Sequence, residues 1–166
     1  MVKIITGPIN TGKSTWLLED FKSRKNADGF ACLKVRINDE HIGYEIKHLA
    51  TGETIQFIRK INYIPEEWNE AFRLGMHYSF NKEGFEFAKR ITDEALAKGV
   101  ECFYIDEVAH LELKDQGFAD ILRKVLKSKI DLVLVVREAL VEKICEKYGI
   151  TDYESIKPNF ERSKNE

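Results

Sequence analysis

Cysteine is sparse and unpaired: Cys32, Cys102 and Cys145 are odd in number, far apart, and include no C-x-x-C pair. That spacing excludes a disulfide framework and a zinc knuckle, so reduced thiols of a cytosolic protein are expected. No apolar run approaches the roughly 18 residues of a membrane span. No apolar leader precedes the first strand, and the chain reads as soluble and cytoplasmic, with no membrane partner. Positive charge is not in excess either, since 26 Lys and Arg stand against 28 Asp and Glu for a net charge of −2. A general attraction to nucleic acid is therefore not expected. The cluster Arg123, Lys124, Lys127 and Lys129 reads as a solvated helix face favoured near a helix C-terminus. Repeats and low-complexity tracts are absent as well. What is present is 43% hydrophobic residues in 166, enough for one domain over 1–166 with its own core.

The N-terminal stretch carries the clearest chemistry. Val2, Ile4 and Ile5 form a short β-branched run, Gly7 to Ser14 fits G-x-x-x-x-G-K-S, and a helical pattern follows. This is a phosphate-binding loop in its proper setting, and Gly7, Pro8, Ile9, Asn10, Thr11, Gly12, Lys13, Ser14 and Thr15 are its nucleotide-binding residues. Gly7 and Gly12 let the backbone wrap a phosphate chain with N–H groups pointing inward. The helix start adds unpaired N–H groups and the positive end of its dipole. Lys13 brings a full charge to the β- and γ-phosphates, the Ser14 hydroxyl suits a bridging Mg²⁺, and Thr15 reaches towards the α-phosphate.

Further along, Trp16, Leu17, Leu18 and Phe21 recur at helical spacing, and Ala27-Asp28-Gly29 reads as a turn. Three short strands are expected over 30–37, 42–49 and 54–58, joined by tight turns into a small antiparallel β insertion of about 30–59. Its His41 and His48 read as strand-face residues, because no second metal ligand sits at a suitable spacing. For 62–75 two readings stand, a short helix opened by Pro65 and carrying Trp68 and Phe72, or an irregular linker. A brief strand over 77–80 and a helix over 82–98 follow, with Phe87, Ala88, Ile91, Ala95 and Leu96 as its buried stripe and Gly99 as its stop. Apolar strands over 100–105 and 130–136 alternate with helices over about 118–126 and 138–148. An edge strand near 153–157 is expected in the tail of about 151–166. The alternation predicts an α/β fold, a mainly parallel sheet flanked by helices.

The strand over 100–105 delivers Asp106 to its carboxyl end, the edge where ligands sit in open α/β sheets. An acid there can hold Mg²⁺ as in the second Walker motif, so Ser14 and Asp106 form the candidate metal set. Glu107 is placed to polarise an attacking water as general base. Arg137 ends the next apolar strand and has two readings: a catalytic guanidinium on the transferring phosphoryl group, or a salt bridge with Glu138 or Glu142.

Asp106-Glu107-Val108-Ala109-His110-Leu111-Glu112-Leu113 resembles the THEP1 family of nucleoside triphosphatases, in which a D-E-x-G-x-x-E-type segment follows the second Walker strand. The resemblance runs on through Gln116-Gly117-Phe118 and Val136-Arg137-Glu138. It also takes in Gly7 to Thr15, Gly43-Tyr44, Thr51-Gly52-Glu53 and Gly84-Phe85-Glu86-Phe87-Ala88, covering most of the chain to about Ile150. It implies a RecA-like P-loop NTPase fold that hydrolyses ATP, GTP and also CTP and UTP to NDP and phosphate with Mg²⁺ and loose base preference. Lys13 and Ser14 carry over as loop residues, Asp106 as the metal-side acid and Glu107 as the base. One departure is Ala109, where the family often has glycine. Two other readings compete. One is a nucleoside or nucleotide kinase, since the loop also resembles that of thymidine kinases, although their paired cysteines are missing. The other is a nucleotide-dependent switch or adaptor.

Overall fold

The computed structural model describes residues 1–9 and 11–158. These build one nine-stranded sheet. The first strand, β1 (Val2–Ile5), leads through the glycine loop into α1 (Lys13–Lys22). Then come β2 (Ala27–Ile37), β3 (Glu40–His48), β4 (Thr54–Lys60), β5 (Glu70–Leu74) and β6 (Tyr78–Asn81). The long α2 (Lys82–Lys98) is followed by β7 (Cys102–Val108), α3 (His110–Leu113) and α4 (Ala119–Ser128). The chain continues with β8 (Asp131–Val136), α5 (Val141–Tyr148) and β9 (Glu154–Ile156).

The strand order is β5-β6-β4-β3-β2-β7-β8-β1-β9. From β9 to β2 all neighbours are parallel, and from β2 to β5 all are antiparallel. Strand β8 thus stands between the strand that precedes the loop and the strand that carries Asp106. The near-continuous apolar run of β8 has the expected cause. Leu132, Leu134 and Val136 enter the core under α2, α4 and α5, whereas Val133 and Val135 enter the core under α1.

Several elements depart from the expectation. Ala27-Asp28-Gly29 is no turn but the start of β2, paired with Cys102, Phe103 and Tyr104 of β7. Gly29 is there for closeness, because a Cβ on it would stand 2.3 Å from the Tyr104 carbonyl oxygen. Asp28 is buried and accepts from the Gly29 N–H at 2.7 Å, and its other oxygen pairs with His48 Nε2 at 2.8 Å. His48 is therefore the strand-face residue that its spacing suggested. The antiparallel region is a continuation of the main sheet, and it runs beyond 59 through β6 and β5 to its edge. Over 62–75 the helix opened by Pro65 does not form. A 3₁₀ turn (Ile61–Tyr63) and an irregular stretch lead to β5, where Phe72 stacks on Phe80 at 4.7 Å. The hairpin from β2 to β3 turns on Asn38 and Asp39, both with positive φ, as a two-residue hairpin of this twist needs.

Candidate active site

The loop between β1 and α1 is braced from inside. Lys13 Nζ donates to the carbonyls of Gly7 at 3.0 Å and Pro8 at 2.8 Å, and Thr11 Oγ1 also donates to Pro8 O. Gly12 takes φ 65° at the N-cap of α1, a left-handed value that favours glycine. Asn10 lies outside the described residues. A cleft of 490 Å³ opens over the loop, lined by Gly7, Ile9, Thr11, Gly12, Lys13, Ser14 and Thr15 together with Glu107 and Arg137. Pro8, expected among the nucleotide-binding residues, is not in this lining; its carbonyl accepts from Lys13 and Thr11.

Ser14 Oγ donates to Asp106 Oδ2 at 2.8 Å, and the Cys32 N–H donates to the same oxygen at 3.0 Å. Asp106 is wholly buried, and its Oδ1 has no partner among the described residues. Burial, and then the neighbouring Glu107 carboxylate, push the Asp106 carboxyl well above the usual range, against the opposing hydrogen bonds from Ser14 and Cys32. Glu107 is different. A register shift in β7 between Ile105 and Val108 puts it at φ 63°, so its side chain turns into the cleft while Val108 returns to the core. Its carboxyl is raised by desolvation within the cleft, opposed first by Lys13, then by Arg137 and Lys34. Arg137 leaves the end of β8 exposed, and among the described residues it forms no ion pair; Glu138 pairs instead with Lys157 at 3.1 Å. The salt-bridge reading of Arg137 is thereby corrected, since the chain turn at Arg137 sends Glu138 towards the tail.

The short α3 explains the rest of the motif. Buried Glu112 accepts from the Ala109 N–H at 2.8 Å with Oε1 and from the Phe118 N–H at 3.4 Å with Oε2. It clamps the segment that follows Glu107, and Tyr148 OH donates to its carbonyl from α5. Gly117 has φ 64°, and a Cβ there would meet Glu112 Oε2 at 2.2 Å. Ala109, at φ −154°, needs no glycine. Cys32, Lys34 and Tyr44 also line the cleft and were not among the expected site residues. The pair Gly43-Tyr44 was their visible signal, for β3 can only press Gly43 on the Ile58 carbonyl without a Cβ. The basic residues of α4 stay outside: Lys124 pairs with Asp93, and Arg123 with Asp115 and Asp120.

Comparison with known proteins gives the family. The family profile described as NTPase matches residues 3–163. Nucleoside-triphosphatase THEP1 of Sulfolobus acidocaldarius is 25% identical over 140 residues, spanning 82% of this chain and 76% of that relative. The crystal structure of THEP1 from the hyperthermophile Aquifex aeolicus has a TM-score of 0.72 at 23% identity, over 99% of this chain and 94% of the other, a likeness of fold. The solution structure of a human cancer-related nucleoside triphosphatase has a TM-score of 0.68 at 26% identity, over 96% and 89% of the two chains. With the profile running nearly end to end, Asp106 tied to Ser14 beneath the loop, and Lys13 and Glu107 lining one cleft, the chain belongs to the NTPase family, as a P-loop protein of the THEP1 type.

Proposed function

We propose that this protein is a Mg²⁺-dependent nucleoside triphosphatase that cleaves NTP to NDP and phosphate with loose base preference. The observation that carries the reading is the 2.8 Å hydrogen bond from Ser14 Oγ to Asp106 Oδ2. It ties the end of the phosphate loop to the acid at the end of β7, with Glu107 and Arg137 opening into the same cleft.

The donor set fits a small hard cation. A hydroxyl, a carboxylate and the unpartnered buried Asp106 Oδ1 are oxygen ligands, and Mg²⁺ usually takes one or two protein carboxylates beside substrate phosphates. Ser14 and Asp106 would hold the ion, which when bound neutralises charge on the β- and γ-phosphate oxygens. Lys13 exchanges the Gly7 and Pro8 carbonyls for phosphate oxygens, and the loop N–H groups surround the phosphate chain. Glu107 accepts a hydrogen bond from a water, aims its oxygen at the γ-phosphorus, and takes its proton as the bond to the β–γ bridging oxygen breaks. Arg137, which lines the same cleft as Lys13, meets charge growing on the transferring group. Every contact in this scheme reads phosphate or water and none reads a base, which is the ground for loose base preference.

The test is phosphate release from ATP, GTP, CTP and UTP with Mg²⁺, comparing wild type with Lys13→Ala and Glu107→Gln. Release from all four is expected, with Glu107→Gln slower by about 10²–10⁴-fold. Turnover of a single nucleotide would end the claim of loose preference. A Glu107→Gln rate equal to wild type would remove the base.

A further inference from the structure

Beside the phosphate cleft lies a second cavity of 340 Å³, walled by Phe57, Phe80, Phe85, Phe118 and Tyr78. Hydrolysis has no use for it. Yet Cys32, Tyr44, Glu107 and Arg137 line both spaces, so the two meet at the proposed base and the proposed phosphoryl-stabilising guanidinium. The direction of a bound nucleotide follows from α1. Ser14 contacts Asp106, next to Glu107, whereas Thr15 lies further along the helix. In the proposed scheme the γ-phosphate faces Glu107, and Ser14 and Thr15 line the phosphate cleft but not the aromatic cavity, which puts the rest of the nucleotide on the side of that cleft away from the aromatic walls.

We infer that this cavity receives a second ligand, a nucleoside, whose hydroxyl takes the γ-phosphoryl group in place of water; the inference rests on the proposed triphosphatase reading of the phosphate cleft. Three features choose the occupant. Of the aromatic walls, Tyr78 and Phe85 keep part of their ring surface exposed and can meet a planar π-system, while the buried Phe57, Phe80 and Phe118 back them. The volume is at the small end of ligand pockets, which run roughly 300–1,000 Å³, room for one base with its sugar. His110 and Lys114 add polar groups to the lining, and Glu107 is where the sugar hydroxyl arrives.

The step balances. The hydroxyl oxygen of the nucleoside forms a bond to the γ-phosphorus, the bond from that phosphorus to the β–γ bridging oxygen breaks, and its electron pair leaves with NDP. Glu107 takes the hydroxyl proton. The products are NDP and a nucleoside monophosphate.

The experiment supplies γ-labelled ATP and Mg²⁺ with adenosine, guanosine, cytidine or uridine in turn, and separates labelled nucleoside monophosphate from labelled phosphate. Labelled monophosphate is expected with at least one of the four. Leu74 lines the cavity from edge strand β5 and is 47% exposed, so Leu74→Trp narrows the space without entering the core. This variant is expected to lower the ratio of transferred to released phosphate at least tenfold. Phosphate release with no labelled nucleotide from any nucleoside overturns the inference and leaves the hydrolase reading standing. An unchanged ratio in Leu74→Trp overturns the cavity as the acceptor site. Transfer without any release in water would support the inference and defeat the hydrolase reading.

Discussion

Asp106 and Glu107 are neighbours in the chain and opposites in setting. Asp106 is sealed beneath the loop with two donors on one oxygen, while the irregular backbone at Glu107 turns its carboxyl into the cleft. Two expectations belong at this scale. Ser14→Ala removes one donor from Asp106 and one oxygen from the proposed Mg²⁺ site. The Mg²⁺ concentration for half-maximal phosphate release should rise by tenfold or more; a titration superimposable on wild type would separate Ser14 from the ion. Arg137 is exposed and forms no ion pair among the described residues, so Arg137→Ala should cost turnover and little stability. A guanidinium in this role is worth about 10³–10⁵ in rate. Steady-state rates and a thermal melt on the same preparation decide it, because a lowered melting point with normal turnover would make Arg137 structural.

At the scale of the element, the segment from β7 through α3 to α4 is held by one buried carboxylate. Glu112 closes it by accepting from Ala109 and Phe118, and Gly117 gives that carboxylate room. Gly117→Ala would bring a Cβ onto Glu112 Oε2 and force alanine into a left-handed backbone. A loss of about 2 kcal/mol is expected. Slower phosphate release should accompany it, because the displaced chain begins two residues after Glu107. Urea unfolding gives the first number, and an unchanged midpoint would mean that the clamp is loose. Gly29, under the Tyr104 carbonyl where β2 meets β7, and Gly43, against the Ile58 carbonyl, make room by the same lack of a Cβ.

Across the whole molecule, burial makes the stability depend on pH. The Glu112 carboxyl is raised from 4.5 to about 7, mainly by desolvation, and the Asp106 and Glu107 carboxyls are raised as well. A raised carboxyl binds its proton more tightly in the folded state than in the unfolded one. Its stabilising contribution is therefore complete below about pH 4.5 and is lost as pH rises towards 7. For Glu112 this amounts to roughly 3 kcal/mol. Without Mg²⁺ and nucleotide, the melting temperature should fall between pH 5 and pH 7.5, and Glu112→Gln should flatten part of that fall. A wild-type curve flat over this window would show that the buried carboxyls ionise without cost.

The phosphate loop, the acidic pair at the end of β7, the long helix α2 and the apolar strand β8 were all legible in the residues, because each is specified by neighbours within a few positions. Glycines at fixed spacing, periodic apolar stripes and the Gly99 stop act through local backbone geometry. What the tertiary structure alone decided depends on partners distant in the chain. Ala27-Asp28-Gly29 looks like a turn until Tyr104 lies against Gly29, and Phe72 looks helical until Phe80 stacks on it. For Arg137 the salt-bridge reading fell only when the end of β8 sent Glu138 to Lys157 and left Arg137 in the cleft that Glu107 also lines. The aromatic cavity draws its walls from β4, β6, α2 and the turn before α4, elements whose meeting no local pattern encodes. Backbone preference acts over a few residues, whereas pairing, burial and the shape of a cleft exist only once the sheet has closed.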